Sequence, residues 1–298
     1  MDNIFNIDIL EDDIFNEYPS ILKLLLKDKT TKKNILWATN EYIENGDNFK
    51  PDKQIFPIDI TGSFFGIVVQ PRAVKPNEIK KKRIKDKGEV FTSTLICNEQ
   101  NNQVDEVWFN RKDVFNVQKT NGWIATTNKI EFPKNKNWKK YVDAKRLEIT
   151  CGEAPYLVSR YDASSGETIP IKDRIGLLDR KLRIVNENTN DEKEWINWAT
   201  RAYQSIYGYE YQGDSLLIAR ENLLYTFIDY YEDRFKAKPD FKDLKRISNI
   251  IAWNIWQMDG LKNIVPFSEN NDNTKGIYCK IMDWRDNNSL LFKEMIDI

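Results

Sequence analysis

A chain of 298 residues that is 41% hydrophobic, 12% aromatic and 31% charged has the composition of a folded protein with a sizeable core, not of a disordered one. Its 45 Lys and Arg nearly balance 46 Asp and Glu, for a net charge of −1, and it contains no histidine, which excludes Ser-His-Asp and Cys-His hydrolysis, histidine-ligated zinc and acid–base work by imidazole. Cys97, Cys151 and Cys279 are too few and too scattered for a disulfide frame or a cysteine-rich zinc site, so no metal is expected.

Along residues 1–87 the pattern is mixed: ILKLLL (21–26) reads as helix, NILWA (34–38) is apolar and aromatic, and GSFFGIVVQP (62–71) is rich in strand formers. These residues are read as an N-terminal α+β extension. The lysine-rich KPNEIKKKRIKDKGE (75–89) reads as a solvated charged loop, with phosphate contact as the alternative, and KNKNWKKYVDAKR (134–146) is a second such stretch. GEVFT (88–92) predicts a short extended entrance to a helix over 95–109, whose apolar positions include Leu95, Ile96, Val104, Val107 and Trp108. No run approaches the roughly 18 uncharged apolar residues of a membrane span, and MDNIFNIDILEDD has no basic leader, so a cytoplasmic protein with no membrane partner is expected.

From Lys145 onward the pattern becomes that of a parallel α/β sheet. RLEIT (146–150) predicts a strand running into the tight CGEAP, and EKEWINWATRAYQ (192–204) a helix that packs through Trp195, Trp198, Ala199 and Ala202. SIYGYE (205–210) predicts a second strand, 212–231 a long helix, and 243–261 a helix end or loop followed by a strand that closes on Asp259. The tail 276–298 reads as a strand or hairpin and a short helix. Strands alternating with helices argue for an α/β doubly wound sheet over 88–298, with ligands at the strand ends. Each of three strands there closes near a carboxylate, Glu148, Glu210 and Asp259. An acid after the second strand of such a fold accepts hydrogen bonds from ribose hydroxyls. One after the third suits an exocyclic amine.

LEITCGEAPYL resembles LDPACGSGAFL, motif I of the S-adenosylmethionine-dependent N6-adenine DNA methyltransferases of restriction-modification systems, the restriction endonuclease subunit M type. The match is gapless, with Leu147, Cys151, Gly152 and Leu157 identical. IYGYEYQGDSLLIAR is similar to motif II (IYGVDIDPEALEIAR), NIWQMDGL to motif III (NIIQGDSL), and GEVFTSTLICNEQ to motif X, and the four stand in family order over 88–261. The resemblance implies a Rossmann-like class I methyltransferase sheet with S-adenosylmethionine as cofactor. Phe91 and Thr92 then close on its methionine end, Glu148, Cys151, Gly152 and Ala154 form the loop around it, Glu210 takes the ribose and Asp259 faces adenine.

The departures are as specific as the matches. Ala154 stands where motif I has its second glycine, which suits a side chain only if its φ is negative, and Ser93 replaces a proline. The catalytic (N/D)PP(Y/F) tetrapeptide, which holds an adenine flipped out of the duplex, has no counterpart. The nearest string, Asn263 to Phe267, has one residue too many, so the catalytic residues stay unassigned. Three functions remain open: the cofactor-binding subunit of an adenine methyltransferase completed by a second methyltransferase or specificity chain, which would also bring DNA; a catalytically inactive methyltransferase-fold partner in restriction-modification or phage defence; and a binder of another nucleotide.

Overall fold

The computed structural model describes residues 7–62, 69–87, 92–269 and 275–296. Two short helices open it, α1 (Glu11–Glu17) and α2 (Pro19–Leu25), the second started by a proline at N1, where the N–H has no intrahelical partner to lose. After the single turn α3 (Pro57–Ile60), the lysine-rich stretch forms a helix, α4 (Asn77–Lys87), and not the expected loop. Lys75 just before it and Arg83 within it point inward to Asp214, so neither is available to phosphate. Helix α5 (Thr94–Phe109) follows where the spacing predicts one. A hairpin of β1 (Asn116–Lys119) and β2 (Gly122–Ala125) and the short α6 (Trp138–Val142) come next. The lysines of the second basic stretch lie partly against aromatic rings, Lys136 over Trp108 at 4.5 Å and Lys139 over Trp198 at 5.2 Å.

The centre is a sheet of three parallel strands in the order β3 (Arg146–Glu148), β4 (Ile206–Glu210), β5 (Ile255–Gln257). Arg146 lies opposite Ile206 and Gly208 opposite Ile255. Parallel neighbours need crossovers, and here each crossover holds two helices: α7 (Leu177–Asn188) and α8 (Glu192–Gln204), then α9 (Gly213–Phe235) and α10 (Phe241–Asn254). The fold is therefore mixed α/β. Strand β3 ends two residues before its predicted limit because Thr150 turns into the left-handed region at φ 44. Helix α10 is complete where only a helix end or loop is expected, its Leu244, Ile247, Ile250 and Ile251 recurring on one buried face. The chain's last described elements are the hairpin β6 (Lys280–Asp283) and β7 (Asn288–Leu291) and the turn α11 (Phe292–Ile296), as the tail predicts.

Strand alternation sends Ile206 and Ile255 into the main core with α8, α9 and α10, and Tyr207, Tyr209 and Trp256 to the opposite face, against Ile281 and Phe292 of the hairpin and α11. The N-terminal residues close the far edge at β5. The Gln257 side chain both accepts from the Leu36 N–H (2.7 Å) and donates to the Leu36 carbonyl (2.8 Å). Beside it the Gly213 N–H donates to the Trp37 carbonyl at 2.9 Å. A Cβ on Gly213 would lie 2.0 Å from the Leu36 oxygen, so α9 has to begin on glycine.

Three carboxyl groups meet under α1. Burial pushes Asp8 up to about 6, and it holds Glu11 and Glu221 well above the ordinary carboxyl range, with the neighbouring acids adding to the effect. A raised carboxyl stabilises the fold below its unfolded value and loses that contribution as pH rises through its folded value. Glu221→Gln keeps the shape and removes one of these acids. The variant is expected to be more stable than the parent at pH 8 and to lose less stability between pH 5 and 8; urea melts at the two pH values that show parallel losses would contradict this.

Candidate functional site

The strand ends open on a cavity of about 720 Å³. Its floor is the β3 end and the turn after it, from Leu147 to Gly152; one wall is β4's end with Glu210, Tyr211 and Gln212, and the other is α5 with Gln100, Asn101 and Val104. Of the residues that the sequence marks, Thr92, Glu148, Cys151, Gly152 and Glu210 line this one cavity, although they span more than a hundred positions of chain. Phe91 lies outside the described residues.

The turn is shaped by backbone more than by side chains. Thr150, Gly152 and Ala154 all sit in the left-handed region, at φ 44, 54 and 62. The negative φ expected at Ala154 is thus not found. A non-glycine residue there costs about 1–2 kcal/mol. The cost is offset locally: the Ala154 N–H donates to the Cys151 carbonyl (2.7 Å), Cys151 N–H donates to the Tyr209 carbonyl (2.8 Å), and Ala154 is fully buried away from the cavity wall. Glu153 points inward too, accepting from the Arg72 N–H (2.6 Å) and the Tyr161 hydroxyl (2.7 Å). At Gly152, where no Cβ intrudes, the left-handed turn brings backbone to the cavity, while Ala154 lies behind the wall.

Both strand-end glutamates are buried carboxyls held by amides. Glu148 accepts from the N–H groups of Tyr156 (3.4 Å) and Leu157 (3.2 Å). Glu210 accepts from Gly152 (2.8 Å) through one oxygen and from Tyr211 (2.8 Å) and Gln212 (3.1 Å) through the other. Burial raises both, Glu148 well above the usual carboxylate range, and the amide bonds pull against it. Glu210 therefore ties the turn after β3 to the strand beside it and still fronts the cavity. Burial, reinforced by the two glutamates, also pushes the Cys151 thiol well up, which makes it a packing group and not a nucleophile.

Asp259, to which the resemblance gives the adenine, is not brought to the cavity wall with the others. Its Oδ1 accepts from the N–H groups of Leu261 (3.0 Å) and Lys262 (3.3 Å), capping the turn after β5, and it is not among the cavity-lining residues. Asparagine and aspartate do this routinely where a chain reverses. The proline-containing string at 263–267 is held against the tail: Val265 N–H donates to the Ile277 carbonyl (2.8 Å) and Cys279 N–H to the Asn263 carbonyl (3.0 Å).

The lining residue Asn101 and the residues that hold α5 in place behind it carry no motif. Asn101 donates through one amide to the carbonyls of Tyr156 (3.0 Å) and Ile175 (3.1 Å), fixing α5 to the loop opposite. Arg180 of α7 is 1% exposed and donates to Asp105 (2.6 Å), Asn98 (2.9 Å) and Asn102 (2.8 Å), all on α5. The signal for this wall is present in the sequence as a polar stripe, Asn98, Asn101, Asn102, Asp105, at helical spacing. Among the described residues no group of three or more His, Cys, Asp or Glu is placed to hold a metal ion, and no helix is long and apolar enough to cross a membrane. No family model, curated protein or solved structure matches the chain.

Proposed function

We propose that this chain binds S-adenosylmethionine in the cavity at the β3 and β4 ends and serves as the cofactor-binding subunit of an N6-adenine DNA methyltransferase of a restriction-modification or phage-defence system, on a Rossmann-like sheet that a second chain completes with the catalytic loop and the DNA-reading surface. The observation that carries this reading is the meeting of Thr92, Cys151, Gly152 and Glu210 around one cavity at adjacent parallel strand ends. The residues fit the group. Glu210 is an acceptor for a pair of hydroxyls, the turn brings backbone close without bulk, and Tyr211 offers an aromatic wall. Bound cofactor supplies an electrophilic methyl group; this chain's residues bind and orient it. The cytoplasm is the compartment this role requires.

Calorimetry with S-adenosylmethionine on the full chain tests the reading. Glu210→Ala is expected to weaken binding by about 1–3 kcal/mol, roughly 5–150-fold, because two hydroxyl donors lose their acceptor. No heat on titration, or equal affinity in the variant, would overturn it. A second reading, a methyltransferase-fold partner without a cofactor, is favoured by one feature: Glu210 already has three amide donors.

A further inference from the structure

We infer that a second cavity, of about 630 Å³ beneath the β1–β2 hairpin, is a binding site for a neutral heterocycle that carries a carbonyl beside a ring N–H, the lactam edge of uracil and guanine. The hairpin, α7 and Tyr230 of α9 enclose it, and it shares no lining residue with the cavity at the strand ends. Two polar atoms of its lining residues have no partner among the described residues. Arg174 donates through Nη2 to Asp229 (2.7 Å) and through Nε to the Ile169 carbonyl (3.3 Å), but its Nη1 meets no acceptor. Asp179 accepts through Oδ2 from the N–H (2.8 Å) and hydroxyl (3.1 Å) of Ser159 and from the Gly176 N–H (3.1 Å), but its Oδ1 meets no donor. Both side chains are more than nine-tenths buried. A buried donor and a buried acceptor left unanswered beside one cavity point to an occupant that answers both.

The rest of the lining narrows the chemistry. A carbonyl takes the free Arg174 donor and the adjacent N–H gives to the free Asp179 acceptor, so the pair calls for both groups side by side on one ligand. The other charges are already answered within the protein: Arg183 by Glu187 (2.8 Å), Arg180 by Asp105 (2.6 Å), Lys172 by Asp173 (4.0 Å) and Asp233 by Lys236 (3.3 Å). A charged ligand would therefore be buried without a counter-ion, and the occupant is neutral. Trp123 of β2 adds an aromatic face. Its indole N–H donates to the Asp173 carbonyl (2.8 Å), which fixes the ring beside Arg174, and no ring or cation stacks on it among the described residues. The rings of Phe115 and Tyr230, by contrast, already carry Arg180 at 5.2 Å and Arg174 at 5.9 Å. A flat heterocycle held at its edge by Arg174 and Asp179 and lying on Trp123 uses all three. A single water answers the polar pair but leaves the indole face and nearly all of the 630 Å³ unfilled.

Calorimetry on the full chain tests this with uridine and guanosine as probes, and with 3-methyluridine and 1-methylguanosine, which carry a methyl group on the ring nitrogen in question, as controls. At least one probe is expected to bind, and its methylated form to bind at least about tenfold more weakly. Trp123→Ala, at a half-buried position, is expected to weaken the probe at least about tenfold through the lost stacking face. Asp179→Asn keeps an oxygen for Ser159 and Gly176 and puts an NH2 group where Oδ1 stands, so it is expected to weaken the probe by a similar factor while urea melts show the chain still folded. Saturating S-adenosylmethionine is expected to leave the probe's affinity unchanged. The inference is overturned if neither nucleoside binds, if the methylated forms bind equally well, if Trp123→Ala binds like the parent, or if S-adenosylmethionine competes, which would place the nucleoside at the strand ends. The site does not rest on the proposed function: heat from a probe without heat from S-adenosylmethionine removes the proposed cofactor alone, and the reverse removes this site alone.

Discussion

Arg180→Leu is expected to destabilise the chain by about 3–5 kcal/mol, because it leaves the Asp105 carboxylate buried without its cation. Asp105 is 1% exposed; its partners are Arg180 at 2.6 Å and the Tyr141 hydroxyl at 2.7 Å. The same guanidinium also satisfies Asn98, Asn102 and the Ile175 carbonyl, so the substitution strands several acceptors at once. Urea unfolding measures the loss, and a change below about 1 kcal/mol would show that α5 does not depend on α7. The double variant Arg180→Leu with Asp105→Leu is expected to recover much of it, since an apolar pair leaves no buried charge. Because α5 is one wall of the cavity, the single variant is also expected to bind cofactor less tightly at temperatures where it is still folded.

The other large effect is expected at Asp214, in the first turn of α9. Its carboxylate takes Arg83 at 2.7 Å, Lys75 at 3.0 Å and the Tyr42 hydroxyl at 3.0 Å, and Glu41 accepts from the same two cations. Asp214→Ala leaves two buried cations against one carboxylate, for a loss of about 3–5 kcal/mol. It would be felt as loosening of the N-terminal segment from the sheet, since the cations come from that segment. Burial opposes ionisation of Asp214, but Arg83 and Lys75 outweigh it and hold the carboxyl below the ordinary range. A depressed carboxyl contributes its stability above the unfolded value and loses it as pH falls through the folded one. The parent should therefore keep this contribution through mildly acidic pH, and the gap between parent and variant should stay constant from pH 5 to 8. A gap that closes at pH 5 would contradict the assignment.

What the sequence makes legible is local. Helix α8 occupies its predicted residues 192–204, with Trp195 and Ala199 buried as its apolar stripe requires, and β4 ends at its predicted Glu210, whereas β3 stops at Glu148, short of the predicted 150. What escapes is set by partners far along the chain. Nothing near Arg83 in sequence shows that it turns inward, because Asp214 is 131 positions away. Nothing near Leu36 shows that Gln257, 221 positions on, reads its backbone like a strand neighbour. Helix α9 is buried on nearly all sides, so its pattern marks a helix without marking a face. Asp259 illustrates the limit at the site itself: the strand expected to close on it stops at Gln257, and its Oδ1 caps the turn through the amides of Leu261 and Lys262, two and three residues on.

The most direct measurement is a structure of the full chain determined with S-adenosylmethionine. The account predicts the nucleoside in the cavity of about 720 Å³, its ribose hydroxyls on Glu210 and its methionine end towards Thr92 and the Gly152 turn. Cofactor bound elsewhere, such as the separate cavity of about 630 Å³ beneath the β1–β2 hairpin, or a saturated crystal whose strand-end cavity holds solvent only, would contradict it.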